Sequence, residues 1–442
     1  MSKPANVRSM AIRILCRRQA SRSSIDPLIE KYNHLINERD RHLLKAVVFG
    51  VLRQQNSLDF ILAQLSSHSL TKMRPVTLQA LRAALYQLLW MDRLPDSAII
   101  NETIKALQSE RQPRWLTGFV NGVLRTACRK REKLKEELNN QPFTVEGNHP
   151  QWLIERWLKR FGKEETRLIC GASNQDSHLC LRVNQAEIST ADFKNKLSEQ
   201  KITCRQGLIN EAVWLQETMP VNQLPGYDEG WFSVQDETAQ IITALMAPFT
   251  KGNYLDACAG LGGKTCTLAQ LIPRDSTLWA LEPQKARYSL LQKNLQRLNL
   301  NAVCRNTTLQ DFAAATKVKF NAILLDAPCS GLGVTGRHPD IRWNREAADL
   351  IKFQQRQLEL LHSAAALLTP HGLIVYATCS MEPEENEEVI RLFTKNHPTF
   401  TITNAAHHLP APLAPLINKN GFLSTRPGPN SHDGFFGAVI KR

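Results

Sequence analysis

The sequence predicts an α/β domain built on a mostly parallel sheet, preceded by an all-α domain and a small α+β connector. Three observations point that way. Apolar residues recur at three- and four-residue steps from Val7 to about Leu138, a helical period. Strand-like and helix-like runs alternate from about Thr238 onward, the mark of a parallel sheet with crossover helices. Between them lies a short mixed stretch. Breaks at Asn139-Asn140-Gln141-Pro142 and Gly147-Asn148-His149-Pro150 set the first boundary, giving expected domains 1–145, 146–236 and 237–442.

In the first domain, Leu58, Ile61, Leu62, Leu65 and Leu78, Leu81, Leu85, Leu88, Leu89 draw apolar helix faces. Pro27, Pro75, Pro95 and Pro113 punctuate them, and Asp26-Pro27 and Leu94-Pro95-Asp96-Ser97 read as helix starts. The connector combines a helix from Trp152 to Phe161 with strand-like runs such as Leu179–Val183. Strands of the third domain are expected at 253–258, 277–282, 301–304, 320–326 and 372–378, with a last one from Gly434 to Lys441.

Positive charge is concentrated at one end. Residues 1–150 hold 24 Lys and Arg against 13 Asp and Glu, whereas residues 151–442 hold 31 against 28. A basic helical module, including Arg125, Arg129, Lys130, Arg131, Lys133 and Lys135, suits a polyanionic partner; RNA, DNA and an anionic membrane all satisfy it. A solvated helical surface is the plainer account. No apolar run approaches the roughly 20 residues of a spanning helix. Ten scattered cysteines without a CxxC pair argue against zinc, and without a secretory signal against a disulfide framework, so no metal is expected. The cytosol is the expected compartment. Arg8, Arg13, Arg17, Arg18 and Arg22 mimic a transit peptide, but helical spacing continues well beyond them.

Chemistry is concentrated in three places. The first α/β strand ends at Asp256-Ala257-Cys258 and runs into Ala259-Gly260-Leu261-Gly262-Gly263-Lys264-Thr265 before a helix. Glycines at such a turn let a ligand approach the backbone near a helix N-terminus. The second strand ends at Glu282, placed to bind ribose hydroxyls. Together these fit an adenosyl cofactor. A P-loop nucleotide hydrolase is the rival, since Gly263-Lys264-Thr265 resembles a phosphate loop, but that motif needs glycine where Cys258 stands.

The other two places are cysteines. Cys329, in Asp326-Ala327-Pro328-Cys329-Ser330, and Cys379, in Thr378-Cys379-Ser380, each follow an apolar strand, so both thiols are expected in the crevice at the strand ends. A buried small hydrophobe is the bland alternative for either alone. Carbon 5 of a pyrimidine is a poor nucleophile until something adds at carbon 6, and a thiolate suits that addition. A nearby acid can donate to ring N3. One cysteine can start such a sequence and the second can help to end it.

These residues, with Arg337-His338-Pro339-Asp340-Ile341-Arg342-Trp343 and Asp433-Gly434-Phe435-Phe436, resemble the S-adenosylmethionine-dependent RNA cytosine-5 methyltransferases of the NOL1/NOP2/Sun group. The resemblance implies a Rossmann-like class I methyltransferase domain behind a NusB-like RNA-binding domain. It implies S-adenosylmethionine as cofactor and small-subunit ribosomal RNA as partner, with no obligate protein partner. By the same resemblance, Cys379 would be the nucleophile and Cys329 would assist adduct release. Asp326 would act as base or N3 contact and touch the cofactor, which Cys258, Ala259, Gly260, Leu261, Gly262, Gly263, Lys264 and Glu282 would also bind. A non-catalytic NusB-like RNA-binding factor would explain the charge but leave both cysteine loops idle. Two departures stand out: Gly260-Leu261 replaces the family's Ala-Pro in the loop, and Thr308, with Asp311 nearby, falls where an adenine-contacting Asp is usual. His149, Trp152, Phe435 and Phe436 are expected to pack, and His338 to order its loop or touch RNA.

Overall fold

The computed structural model describes residues 6–92, 94–217, 219–428 and 432–442. The chain forms two compact units: residues up to Asp176 together with Thr335–Arg345, and Ser177–Val334 together with Glu346–Arg442.

The first unit is helical. Helix Val7–Ser21 starts at Asn6, whose side-chain oxygen accepts from the backbone N–H groups of Arg8 (2.9 Å) and Ser9 (3.1 Å). Helices begin at Ile25 and Asp96, as the proline positions predict. Helix Pro75–Trp90 buries Leu78, Leu81, Leu85 and Leu88, and also Thr77, Gln79 and Gln87, so it is surrounded on nearly every face. Its Arg82 forms a two-pronged pair with Asp59 of helix Gln55–Leu65 (2.7 and 2.6 Å). Helix Arg114–Arg129 leaves a face in water: Trp115 is 68% exposed, and Arg125 and Arg129 are exposed with it. The helical segment Gln151–Ser173, read from sequence as part of the connector, lies in this unit and breaks at Gly162 (φ 78°).

Segment 335–345 completes the helical unit after the intervening residues 177–334. Arg342 is fully buried and donates to the carbonyl oxygens of Asn148 (3.0 Å), Ser173 (2.7 Å) and Thr335 (2.9 Å) and to Asn174 Oδ1 (2.6 Å). Trp343 Nε1 donates to Leu52 O (2.8 Å), and Asp340 accepts from Ile25 N (3.2 Å). His338 pairs with Asp26 (3.1 Å), the loop-ordering bond expected of it. His149 is fully buried beside Trp157, as packing requires.

The second unit opens with an antiparallel sheet of β1 (Cys180–Val183), β2 (Cys204–Gln206), β3 (Ala212–Leu215) and β4 (Phe232–Val234), in the order β2-β3-β1-β4. Helix Thr190–Glu199 covers it through Phe193 and Leu197. The large sheet contains β5 (Asn253–Asp256), β6 (Thr277–Leu281), β7 (Val303–Arg305), β8 (Phe320–Asp326), β9 (Leu368–Thr378), β10 (Thr401–Thr403), β11 (Leu423–Ser424) and β12 (Phe436–Lys441). Its order is β10-β12-β9-β8-β5-β6-β7, with β11 beside β12. The pairs among β5 to β9 are parallel; those of β12 are antiparallel. Ile323 and Leu325 point into one core and Ala322 and Leu324 into the other, so the central strands are covered on both faces. That is why they read as unbroken apolar runs.

Strand β5 stops two residues earlier than predicted because Ala257 and Cys258 already belong to the glycine loop. From β5 the chain winds outward through β6 and β7, then returns to β8 on the other side. The order reverses between β5 and β8, where the carboxyl ends of the strands open a ligand crevice.

Candidate active site

Cys258, Glu282, Asp326, Cys329 and Cys379 lie at or just beyond the ends of β5, β6, β8 and β9. Asp326 closes β8, opposite Ala377 of β9, so the loops holding Cys329 and Cys379 leave neighbouring strands together. The two sulfurs are 3.3 Å apart. The Cys329 thiol is held well above its ordinary pKa, first by the hydrogen bond with Cys379, then by burial and the charges of Cys379, Glu385 and Asp326.

The loops are locked by close backbone approach. Gly333 N donates to Cys379 O (3.0 Å) and Gly434 N to Gly333 O (2.8 Å). A Cβ on Gly333 would fall 2.0 Å from Gly434 O, so only glycine fits there. Phe435 and Phe436 are buried, as expected, but Phe435 has a further role: Lys264 Nζ lies over its ring, 5.4 Å from the centre.

Lys264 also makes a salt bridge with Asp326 (2.6 Å), both side chains being mostly buried. Burial works against the ammonium, yet Asp326 and neighbouring Cys379 and Asp256 hold its pKa above the ordinary value. The lysine expected at the cofactor therefore sits among the acid and thiols.

The glycine loop is preceded by Asp256, which is fully buried. Its Oδ2 accepts from Thr265 (2.7 Å), Oδ1 has no partner among the described residues, and burial pushes the carboxyl up to about 6. Burial and the charges of Asp256, Asp326 and Glu282 likewise raise the Cys258 thiol. Ala259 N donates to Leu281 O (2.9 Å), while Gly260 (φ 57°) and Gly262 (φ 91°) take left-handed conformations. Leu261 exposes its side chain and offers only backbone to the turn, its carbonyl accepting from Asn294 (2.8 Å). Glu282 is 4% exposed at the end of β6, accepting from Gln284 N (2.7 Å).

This cradle fits an adenosyl amino-acid cofactor. Side chains added at Gly260 would meet open space, and at Gly263 only Gln235 Nε2 at 4.0 Å, so a ligand can approach the backbone there. Gln235 Nε2, like Asp256 Oδ1, is a buried polar atom without a partner among the described residues. One is a donor suited to a carboxylate and the other an acceptor suited to an ammonium. Gln235 was missed by sequence reading because it lies before the first strand of the large sheet. At the site of the second departure, Thr308 caps helix Leu309–Ala315 and its hydroxyl donates to Asp311 (2.6 Å), so these two side chains engage each other.

Also unforeseen was Glu385. It is fully buried and accepts from the side chains of Ser330 and Ser380, the residues that follow the two cysteines. Burial raises its pKa, against the hydrogen bonds it accepts. The repeated Cys-Ser pair was the available signal. Among the described residues no cluster of His, Cys, Asp and Glu suits a metal ion, and no helix is long and apolar enough to cross a membrane.

Comparison with known proteins agrees with this architecture. Residues 243–441 match the 16S rRNA methyltransferase RsmB/F family, 5–129 the NusB family, and 149–222 the RsmF/B-like ferredoxin-like domain. The crystal structure of PH0851 is 22% identical, with a TM-score of 0.79 and coverage of 100% of both chains. NSun6 from Pyrococcus horikoshii with SFG is 18% identical, with a TM-score of 0.58, covering 66% of this chain and 98% of that one. Both show the shared fold. A ribosomal RNA small subunit methyltransferase B of Yersinia pseudotuberculosis is 34% identical across 100% of this chain and 99% of its own length. With that identity maintained from end to end, the chain belongs to the ribosomal RNA small subunit methyltransferase B family.

Proposed function

We propose that this methyltransferase transfers a methyl group from S-adenosylmethionine to carbon 5 of a cytosine in small-subunit ribosomal RNA, through a covalent adduct with Cys379. The observation that carries this reading is the pair of thiols 3.3 Å apart beside the Asp326–Lys264 pair. Two sulfurs so placed can act on adjacent carbons of one ring. S-adenosylmethionine, held by 258–264, Gln235, Asp256, Glu282 and Asp326, supplies an electrophilic methyl group.

Cys379 adds to carbon 6. Asp326 takes the thiol proton and delivers it to N3, which makes carbon 5 the nucleophilic end of an enamine. Lys264 neutralises Asp326 and orients it. Cys329 gives its proton to solvent while the adduct stands, and after carbon 5 is methylated its thiolate removes the carbon-5 proton. The carbon–carbon double bond re-forms, Cys379 leaves as thiolate, and the N3 proton returns to it; Cys329 keeps the proton taken from carbon 5 and is again the resting thiol. The strongest influence keeping Cys329 protonated is Cys379, and that influence ends once the Cys379 sulfur is bonded to carbon 6.

The target must be unstacked for thiol and cofactor to reach it from different sides. In this reading the divisions 1–145, 146–236 and 237–442 are an RNA-binding domain, a connector and the catalytic domain, working in the cytosol. Family membership displaces the nucleotide-hydrolase and non-catalytic alternatives.

The test uses ribosomal RNA lacking the modification, labelled S-adenosylmethionine, and the wild type beside Cys379→Ala and Cys329→Ala. Cys379→Ala should lose both methyl incorporation and denaturant-resistant adduct; Cys329→Ala should accumulate adduct. The opposite pattern would reverse the thiol roles, and a wild type inert on all RNA would end the substrate assignment.

A further inference from the structure

The two cysteine loops are fastened by one side chain. Glu385, in the short turn Pro383–Glu385 after β9, places Oε1 to accept from Ser330 N (2.7 Å) and Gln357 Nε2 (3.1 Å). Its Oε2 accepts from the hydroxyls of Ser330 and Ser380, the latter at 2.6 Å, and these hydroxyls are 3.2 Å apart. Gln357 donates as well to Pro328 O (3.1 Å), and Tyr376 OH to Glu385 O (2.6 Å). The next residue, Asn386, donates to Ser380 O (2.9 Å) and accepts from Thr378 Oγ1 (2.6 Å). Four donors converge on a carboxylate with no exposed surface, and these four are neutral.

Burying a carboxylate is costly unless its acceptor sites are filled, and a neutral apolar filler would pack the space more cheaply. What the carboxylate provides, and a filler does not, is a fixed distance between residues 330 and 380. Each serine is covalently next to a cysteine. We propose that Glu385 is a positioning residue that sets the separation of the Cys329 and Cys379 thiols. This rests on the reading of those thiols as nucleophile and adduct-releasing group. The register between β8 and β9 brings the loops side by side, and Gly333 N on Cys379 O is a further tie. Glu385 spans them at the residue after each sulfur.

Ser380→Ala leaves Glu385 its bonds to Ser330 and Gln357 and removes its bond to the second loop; it also removes the acceptor of the Glu382 N–H (3.1 Å), a loss that the melting control reads. Glu385→Gln is the companion, retaining shape with one acceptor oxygen fewer. The first readout needs no substrate: full-length protein is treated with dibromobimane, and the peptide bridging Cys329 to Cys379 is quantified by mass spectrometry. The second is kinetics on unmodified ribosomal RNA, with thermal melting as the folding control.

Bridging should fall in Ser380→Ala, and kcat should fall about 100-fold, the cost of misplacing reacting groups by about 1 Å. KM should stay within about twofold of wild type, and adduct should accumulate because release depends on the second thiol. Unchanged bridging and kcat in folded Ser380→Ala would overturn the proposal, as would equal losses in kcat and melting temperature with no change in bridging or adduct partition. If Glu385→Gln fails to fold, Ser380→Ala decides alone. If the wild type methylates no RNA but bridging still drops in Ser380→Ala, the catalytic reading fails and the positioning role stands. If the wild type is active and bridging is indifferent to Ser380, the reverse holds.

Discussion

Replacing Asp256 by Asn should make the protein more stable at neutral pH, by an amount that disappears in acid. Asp256 is fully buried, one oxygen rests on Thr265, and the other has no partner among the described residues. Burial raises its pKa from 3.8 to about 6. A shift of about two units corresponds to about 3 kcal/mol between the protonation states. Below about pH 4 the carboxyl is protonated whether the chain is folded or not, so the shift costs nothing. Between about pH 4 and 6 the folded state binds more protons than the unfolded one, and stability falls as pH rises. Above about pH 6 the full cost of about 3 kcal/mol is present. Asn stays neutral throughout, so the stability of Asp256→Asn relative to wild type should rise by about 3 kcal/mol from pH 4 to pH 7. A packing offset from the new amide would be constant with pH and so would not imitate this slope. Urea unfolding of both proteins without cofactor, followed by tryptophan fluorescence across that range, measures the difference. A difference that is flat with pH, or that turns against the variant as pH rises, would refute the assignment of a buried, strained carboxylate.

Lys264→Met should slow methyl transfer about 100-fold, as loss of one preorganised charge does elsewhere, and turnover equal to wild type would remove Lys264 from the site. Its effect on stability should be smaller than for a sealed ion pair, because Asp326 keeps 29% exposure and water can reach it. Gly333→Ala should destabilise the second unit or prevent its folding, since the new Cβ would meet backbone 2.0 Å away; a normal melt would show that the loops yield easily. Replacing Arg125, Arg129 and Lys130 by Gln should weaken RNA binding and flatten the plot of log K against log salt by about 0.7 to 0.9 per lost phosphate contact. An unchanged slope would move the RNA path off this face.

What the sequence showed and what it hid have a common physical origin. A strand covered on both faces must be apolar at successive positions, so Ile323, Leu324 and Leu325 declare β8 without knowledge of partners. The turns that carry Gly260, Gly262, Cys329 and Cys379 are local events and were legible for the same reason. Arg342 and Glu385 were not. Each is a charged residue in a polar neighbourhood of sequence, where a solvated face is the ordinary outcome. Each is instead fully buried, with partners such as Ser173, 169 residues away from Arg342, and Ser330, 55 residues away from Glu385. In the acidic stretch from Glu382 to Glu388, Glu382 and Glu385 have no exposed surface, a pattern that no periodicity announces. The first part of helix Gln151–Ser173, Trp152 to Phe161, was recognised from its pattern; its continuation beyond Gly162 was not, and its unit membership was hidden because that depends on Arg342 and on segment 335–345.

That segment bears on how the chain matures during synthesis. Domains generally fold as units, the N-terminal one first while the rest is still being translated. Here the helical unit cannot do so completely, because its last piece follows residues 177–334 of the other unit. Until Arg342 has been made, the carbonyls of Asn148 and Ser173 lack the guanidinium that satisfies them in the finished protein, and the Leu52 carbonyl awaits Trp343. Nascent chains stalled before residue 335 should therefore hold a protease-sensitive bundle, and those stalled well beyond 345 a resistant one. Cutting the gene between the two units cannot yield two whole halves, whichever bond is chosen.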